Sequence, residues 1–599
     1  MSNFNKKQVK SKDVKGIFKR LCRYIFSYWY LFILAVIFTL LSNQLSLLGP
    51  KFSGDAIDAL AAAGGVNFDV VWTNTAKMLM CYLASAVMSY VLSVTMIFMS
   101  QKIVYTMRRQ LFEKLTSLPV GYFDTHPTGD IISHISYDID TINSTLSHDL
   151  VQIMSSVYIV VGSIVFMWNI SKPLVSVFLI TVPASVIFTR YRAKKVRPLF
   201  SKRSKKLGEL NGYAEEMLSG CRSIQAYSRE EEIGRRFNER NTDSMNAYYI
   251  ADYYGCMIGP TVSFINNLSI SLVMMLGGIM YMLSQNGIAV VGSLFFITLG
   301  GVAQFVQYSR KFAGPISEFA NIFSELQSAF SAAERVFRIL DEHPETPDSD
   351  DAVSLDNVEG EVKFREVEFG YTPDKTILKG IDFTAAPGKS IAIVGPTGAG
   401  KTTIINLLMR FYDISKGEIT VDGRESREYT RKSLREAYTM VLQDTWLFKG
   451  TIFENIAYGK EGATIEEVKA AAKAARIDSY IEGLPDGYDS VLTDDGVNIS
   501  KGQRQLITIA RAMISNSQML ILDEATSNVD SRTEIKIQEA MGELMRGRTC
   551  FIIAHRLSTI QNADLILVIK DGKIAEQGTH QELLDSKGFY STLYNSQFS

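Results

Sequence analysis

Ser390-Ile-Ala-Ile-Val-Gly-Pro-Thr-Gly-Ala-Gly-Lys-Thr402 is the segment from which the architecture of this chain can be worked out. Its first five residues are small or apolar without interruption, the pattern of a strand covered on both faces. The strand runs directly into Gly395–Thr402, whose G-x-x-x-x-G-K-T spacing is that of a loop cradling phosphate at the start of a helix. Gly395, Gly398 and Gly400 let the backbone turn its N–H groups inward, and Pro396, Thr397 and Ala399 complete the cradle. Lys401 is placed to reach β- and γ-phosphates, Thr402 offers a hydroxyl to Mg²⁺, and Thr403 follows in the first helical turn. A glycine-rich turn that binds nothing is the bland alternative, and the agreement of spacing, Lys and Thr argues against it.

Further along, Met519-Leu-Ile-Leu522 is a second buried-strand pattern, and it ends in Asp523-Glu524. Asp523 is expected to hold Mg²⁺ through water, because a hard cation takes oxygen ligands. Glu524 is expected to polarise the attacking water in an in-line phosphoryl transfer. Adjacent acids at a strand end often merely cap the next helix, but here a phosphate loop stands in the same chain. With Val362–Phe369 and Cys550–Ala554, these short runs alternate with helical segments, which is the order of an α/β domain. Asp341–Asp351, with six acids and two prolines, precedes them and reads as a linker.

The residues before that linker follow a different pattern. Tyr24–Pro50 has no Asp, Glu, Lys, Arg or His over 27 residues, Met78–Gln101 none over 24 and Leu150–Ser171 none over 22. Each exceeds the roughly 20 residues that cross a bilayer as a helix. Pro173–Thr189 adds 17 such residues, and Tyr253–Ser309 adds 57, enough for two spans meeting at Ser284–Gly287. Six spans are expected, none holding an ionisable side chain, so any energy for transport must come from the phosphate chemistry. Lys6, Lys7, Lys10, Lys12, Lys15, Lys19, Arg20 and Arg23 against Asp13 place the N-terminus in the cytoplasm, and six spans return the chain there. Lys51–Lys77 reads as a short external loop, whereas Lys102–Asp149 and Arg190–Asp252 read as helices running on into the cytosol. The nine basic residues of Arg190–Lys206 signal topology to anionic headgroups and imply no nucleic acid.

Composition sets the outer bounds. The 599 residues carry 62 basic and 63 acidic side chains, 47% hydrophobic residues and a mean hydropathy of +0.07, which exclude a disordered tail or a fibre and leave no global field for nucleic acid. Five scattered cysteines, Cys22, Cys81, Cys221, Cys256 and Cys550, form no C-x-x-C pair and are expected to be reduced thiols.

These residues carry a family resemblance. From Asn357 onward the chain resembles the nucleotide-binding domain of an ATP-binding cassette (ABC) protein, on the strength of Asn498-Ile-Ser-Lys-Gly-Gln-Arg-Gln505 followed by the run Leu506–Met513. The resemblance implies that Tyr371 stacks on adenine, that Gln443 senses Mg²⁺ and the membrane domain, that Ser527–Asp530 is the D-loop, and that His555 contacts the γ-phosphate. It implies also that Ser500, Lys501, Gly502 and Gln503 clamp ATP held by a partner cassette. The first half is similar to the six-span exporter fold of that family, with Leu118–Gly129 and Ala226–Glu232 matching its coupling segments.

Three departures refine the resemblance. Lys501 replaces the first glycine of the common Leu-Ser-Gly-Gly-Gln signature, Thr493-Asp-Asp-Gly496 stands where Gly-Glu-Arg-Gly is common, and Asn528-Val529 replaces Ala-Leu. A side chain at Lys501 crowds the approach to a helix N-terminus. The combination resembles the catalytically intact half of bacterial heterodimeric multidrug exporters, whose partner has a degenerate catalytic Glu; a homodimer with two equal sites is the alternative. The expectation is therefore a multidomain membrane protein: an all-α six-helix transmembrane domain over residues 1–340, an acidic linker over 341–356, and an α/β P-loop ABC nucleotide-binding domain over 357–599. It would use ATP and Mg²⁺ to export a hydrophobic or amphipathic small molecule of drug or lipid class across a prokaryotic plasma membrane. An importer of a metal chelate and a lipid flippase remain alternatives on the same fold, whereas an ATP-gated channel or regulator is disfavoured by Glu524.

Overall fold

The computed structural model describes residues 14–62, 65–286, 294–372, 374–442, 445–493, 498–523, 530–553 and 560–598. It divides into two compact units, Met1–Thr116 with Thr128–Glu342, and Ser117–Pro127 with His343–Ser599.

The helices of the first half are α1 (Val14–Phe26), α2 (Trp29–Leu60), α3 (Phe68–Thr116), α4 (Val120–Thr125), α5 (Thr128–Ser133), α6 (Ile139–Ser144), α7 (Leu150–Ile170), α8 (Lys172–Ser219), α9 (Cys221–Ala226), α10 (Glu230–Cys256), α11 (Ile258–Gln285) and α12 (Leu299–Asp341). All but α4 belong to the first unit. Two π-turns, His134–Asp138 and Thr145–Asp149, join α5, α6 and α7 into one continuous rod. Among the described residues, five helical stretches are long and apolar enough to cross a membrane: Trp29–Leu60, Phe68–Thr116, Thr128–Ile170, Lys172–Ser219 and Glu230–Gln285. In hydrocarbon no water can satisfy a backbone amide, so an unbroken helix is what such uncharged runs must form. Along α3, Trp72, Leu79, Leu83, Val87 and Tyr90 are exposed at helical spacing, an apolar stripe suited to acyl chains. The 49 residues of α3 extend about 74 Å, more than twice the roughly 30 Å hydrocarbon core, so the rod runs well beyond its apolar part.

The sixth apolar segment differs from expectation. Its helix, α12, is 43 residues long but begins, as described, at Leu299 and carries Arg310 and Lys311. Arg310 and Lys311 therefore continue the same helix beyond the charge-free run that ends at Ser309. Lys51–Lys77 is likewise not all loop, because α2 continues to Leu60 and α3 starts at Phe68. Asp58 explains the extension: it accepts from the Gly300 N–H at 2.7 Å and the Thr298 hydroxyl at 2.8 Å, so the last turns of α2 cap the start of α12. A Cβ on Gly300 would overlap the Gly54 carbonyl oxygen, so only glycine admits this crossing. Deeper in the unit, buried Tyr308 donates to the Leu47 carbonyl at 2.7 Å and stacks on Phe166 at 5.0 Å. Past the apolar runs, Arg203 binds Asp252 at 2.6 Å and lies 3.4 Å from the Tyr248 ring, pinning α8 to α10.

The second unit contains β1 (Val362–Phe369), β2 (Leu378–Ala385), β3 (Ser390–Val394), β4 (Lys416–Val421), β5 (Arg424–Glu425), β6 (Tyr438–Val441), β7 (Gly450–Thr451), β8 (Val491–Leu492), β9 (Met519–Asp523), β10 (Thr549–Ile553), β11 (Leu565–Lys570) and β12 (Lys573–Gly578). A six-stranded sheet runs β12-β11-β3-β10-β9-β6, with β11 through β6 parallel and β12 an antiparallel edge. A four-stranded antiparallel sheet, β2-β1-β4-β5, lies beside it. The expected double coverage of β3 holds residue by residue: Ile391 and Ile393 enter one buried cluster with Phe364 and Phe551, while Ala392 and Val394 enter another with Leu506 and Leu522. Each buried Ile stabilises this arrangement by roughly 1.5–3 kcal/mol relative to exposure. Asp564 fixes the start of β3 by accepting from Ser390 N–H at 2.9 Å, Ser390 hydroxyl at 2.8 Å and Lys389 Nζ at 2.9 Å.

Candidate nucleotide site

The site is built at the C-terminal ends of parallel strands, where peptide N–H groups and helix starts converge. β3 delivers the chain to Gly395 and helix α13 (Lys401–Leu408) takes it away, as the spacing predicts. Gly400 sits at φ +110°, in the left-handed region that favours glycine, immediately before the helix start. A Cβ at Gly395 would overlap the Ile569 carbonyl oxygen of β11, so the loop hugs the sheet only because that residue is glycine. Pro396, Thr397 and Gly398 form the exposed rim, while Ala399 packs into the core.

Lys401 donates to the carbonyl oxygens of Gly395 at 2.7 Å and Pro396 at 3.2 Å, so its ammonium lies across the mouth of the loop. Burial lowers its pKa, and the nearby negative charge of Asp523 opposes that fall. Thr402 presents an exposed hydroxyl in the first turn, whereas Thr403 is buried. Asp523 closes β9, and the register aligns it with Ile553 of β10, which in turn pairs with Ile393 of β3. With strands about 4.8 Å apart, Asp523 stands some two strands from the phosphate loop. The loop amides, the ammonium, an exposed hydroxyl and one carboxylate are a donor set that fits a nucleotide phosphate with its hard cation.

Tyr371 donates to the Thr403 hydroxyl at 3.3 Å, accepts from Asn406 at 3.0 Å, and leaves much of its ring exposed beside the loop. Its ring meets Tyr412 edge-on at 5.0 Å, and Tyr412 donates to the Asp124 carboxylate at 2.5 Å. Burial raises the Tyr412 pKa, and Asp124 raises it further, so the phenol keeps its proton. Gly121 makes this approach possible, since a Cβ there would lie 2.8 Å from the Tyr412 ring. Ser117–Pro127, which includes most of the Leu118–Gly129 coupling segment read from the sequence, is thereby joined to the edge of the nucleotide site. Sequence reading missed Asn406 and Tyr412 and held Asp124 only as one residue of the Leu118–Gly129 coupling segment; the available signal for Tyr412 was that it follows helix α13 closely.

Ser500 caps the helix Lys501–Ile514: its hydroxyl accepts from Gln503 N–H at 3.2 Å while Gln503 Oε1 accepts from Ser500 N–H at 2.8 Å. Gly502 is buried, and Lys501 is exposed at the first helical position, where its positive charge opposes the helix dipole. Asp530 caps the helix Ser531–Met545 through the Thr533 N–H at 2.9 Å. In the other coupling segment, Ala226–Glu232, Ser228 adopts φ 50° between α9 and α10 and leaves Tyr227 strongly exposed. Gln443, Glu524, His555, Asp494–Gly496 and Ser527–Val529 lie outside the described residues.

The family pattern of the ABC transporter transmembrane region matches residues 32–302, and that of the ABC transporter matches residues 378–527. An uncharacterized ABC transporter ATP-binding protein of Bacillus subtilis, YfiC, is 42% identical over 593 residues, covering 99% of this chain and 96% of its own. This chain belongs to the ABC transporter family. A fatty acid ABC transporter ATP-binding/permease protein of Mycobacterium bovis is 42% identical over 526 residues, 88% of this chain and 81% of that protein. The solved structure of a bacterial Atm1-family ABC exporter with ATP bound superposes with a TM-score of 0.75 at 30% identity, covering 95% of this chain and 98% of that one. The chain is thus an ABC exporter half-transporter: a helical transmembrane region followed by an α/β nucleotide-binding domain, with ATP binding and ATPase-coupled transport as its activity.

Proposed function

We propose that this ABC half-transporter exports an amphipathic or apolar molecule of lipid class, with residues 1–340 as the transmembrane domain, 341–356 as the linker and 357–599 as the cassette. Lys401 supports the reading most directly, because its ammonium lies across a glycine loop with the charge of Asp523 two strands away acting on it. In this reading Lys401 and the loop amides neutralise phosphate charge, Thr402, Asp523 and Gln443 serve Mg²⁺, Glu524 polarises water, and His555 holds the γ-phosphate. The fatty acid assignment of the mycobacterial relative supports a lipid-like cargo. The uncharged runs support a membrane location, and the basic tail supports a cytoplasmic N-terminus in a prokaryotic plasma membrane.

The signature supports a non-identical partner. Lys501 stands at the first helical turn, where bound phosphate of the partner would meet a side chain instead of a bare amide. The intact Glu524 of this chain then serves the hydrolysing site, and closure of two cassettes moves the coupling segments as levers. The test is ATPase activity of the full chain alone and co-purified with its genomic neighbour, with Glu524→Gln as control. Activity arising only in the mixed complex and abolished by Glu524→Gln is expected; full activity of Glu524→Gln in that complex would overturn the assignment.

A further inference from the structure

Lys311 lies twelve residues into α12, about 18 Å from its described start. Its neighbours stand on α2 and α3, each four residues from one end of a charge-free run. Ser46 belongs to the charge-free run Tyr24–Pro50 and Tyr82 to the charge-free run Met78–Gln101. The ammonium donates to the Ser46 hydroxyl at 2.7 Å and sits 6.0 Å from the Tyr82 ring. Among the described residues its side-chain hydrogen bond goes to Ser46, and no ion pair with a carboxylate is formed. A hydroxyl and an aromatic face solvate a cation without neutralising it, and a half-buried charge without a counterion carries a desolvation cost.

From this geometry we propose that Lys311 is a specificity-determining residue that binds the anionic headgroup of the transported amphiphile, a singly charged carboxylate or phosphate ester on an acyl chain. The inference rests on the reading of the chain as an exporter of amphiphiles. One headgroup oxygen meets the ammonium. The Ser46 oxygen already accepts from Lys311, so its O–H is available to donate to a second headgroup oxygen. The acyl chain lies along apolar side chains of the spans, and a neutral headgroup leaves the ammonium uncompensated.

The test is equilibrium binding to the full-length protein in nanodiscs of zwitterionic lipid, with palmitate, hexadecyl phosphate and hexadecanol as probes. The wild type is expected to bind at least one of the two anions about tenfold more tightly than the alcohol, a difference of about 1.4 kcal/mol. Lys311→Gln is expected to abolish that preference while still binding hexadecanol, which reports that the variant is folded, and Lys311→Arg to restore it. A preference for palmitate assigns a carboxylate and a preference for hexadecyl phosphate a phosphate; either supports the proposal. Equal binding of all three probes by the wild type, or an anion preference that survives Lys311→Gln, overturns the role of Lys311 while leaving amphiphile export standing. Failure of all three to bind overturns both.

Discussion

Removing one oxygen atom, in Tyr412→Phe, asks whether Ser117–Pro127 is held on the second unit by chemistry or by proximity. The phenol donates to Asp124 at 2.5 Å, a hydrogen bond to a charged acceptor. Such bonds contribute about 1.5–3 kcal/mol when shielded, but Asp124 is exposed, and screening reduces the figure to about 1 kcal/mol. The ring contacts survive the substitution, since Phe keeps the faces that meet Tyr371 at 5.0 Å and Phe369 at 5.7 Å. The expected result is about a fivefold loss of hydrogen-exchange protection confined to Ser117–Pro127, because about 1.4 kcal/mol corresponds to tenfold. A double-mutant cycle with Asp124→Ala in the intact transporter isolates the pair. If the two changes add to within about 0.3 kcal/mol, the hydrogen bond carries no coupling and the reasoning fails.

Asp58→Ala should uncap α12 and lower the thermal midpoint of the detergent-solubilised protein by the equivalent of about 1 kcal/mol, with Asp58→Asn recovering part of it. Gly300→Val, which drives a side chain into the Gly54 carbonyl, should cost more than Gly278→Val, a position with open space around its Cβ, when both are followed by fluorescence-detected chromatography. Lys401→Ala should abolish binding of a fluorescent ATP analogue, whereas the same change at exposed Lys432 should leave it intact. At Asp564 burial opposes ionisation, but the Ser390 and Lys389 hydrogen bonds outweigh it and hold the pKa below the usual carboxylate range. Its stabilising contribution is therefore present above the unfolded value of about 3.9 and is lost as pH falls through the lower folded value, so Asp564→Asn should flatten the acid limb of a melting-temperature profile.

The sequence made the strands and the phosphate loop legible because a buried strand and a left-handed glycine leave local traces. Ser390–Val394 and Gly400 needed no distant partner to be recognised. What stayed hidden depended on contacts far apart in the chain. Asp58 read as one acid of an external loop, and only its bonds to Thr298 and Gly300 turn that stretch into helix. Tyr412 and Asp124 are 288 positions apart, and nothing local marks either as the other's partner. Lys311 drew no attention for a simpler reason: it follows the charge-free run that ends at Ser309, and only the helix that continues from Leu299 through Arg310 and Lys311 brings it beside Ser46.

The grouping of Ser117–Pro127 with the second unit has a practical bearing on how that unit is handled. A recombinant ATPase fragment begun at His343 would omit eleven native residues and strip a polar and steric cover from Tyr412, next to Tyr371. Nucleotide affinities measured on such a fragment would describe a truncated surface, and supplying the missing peptide in trans is the natural remedy.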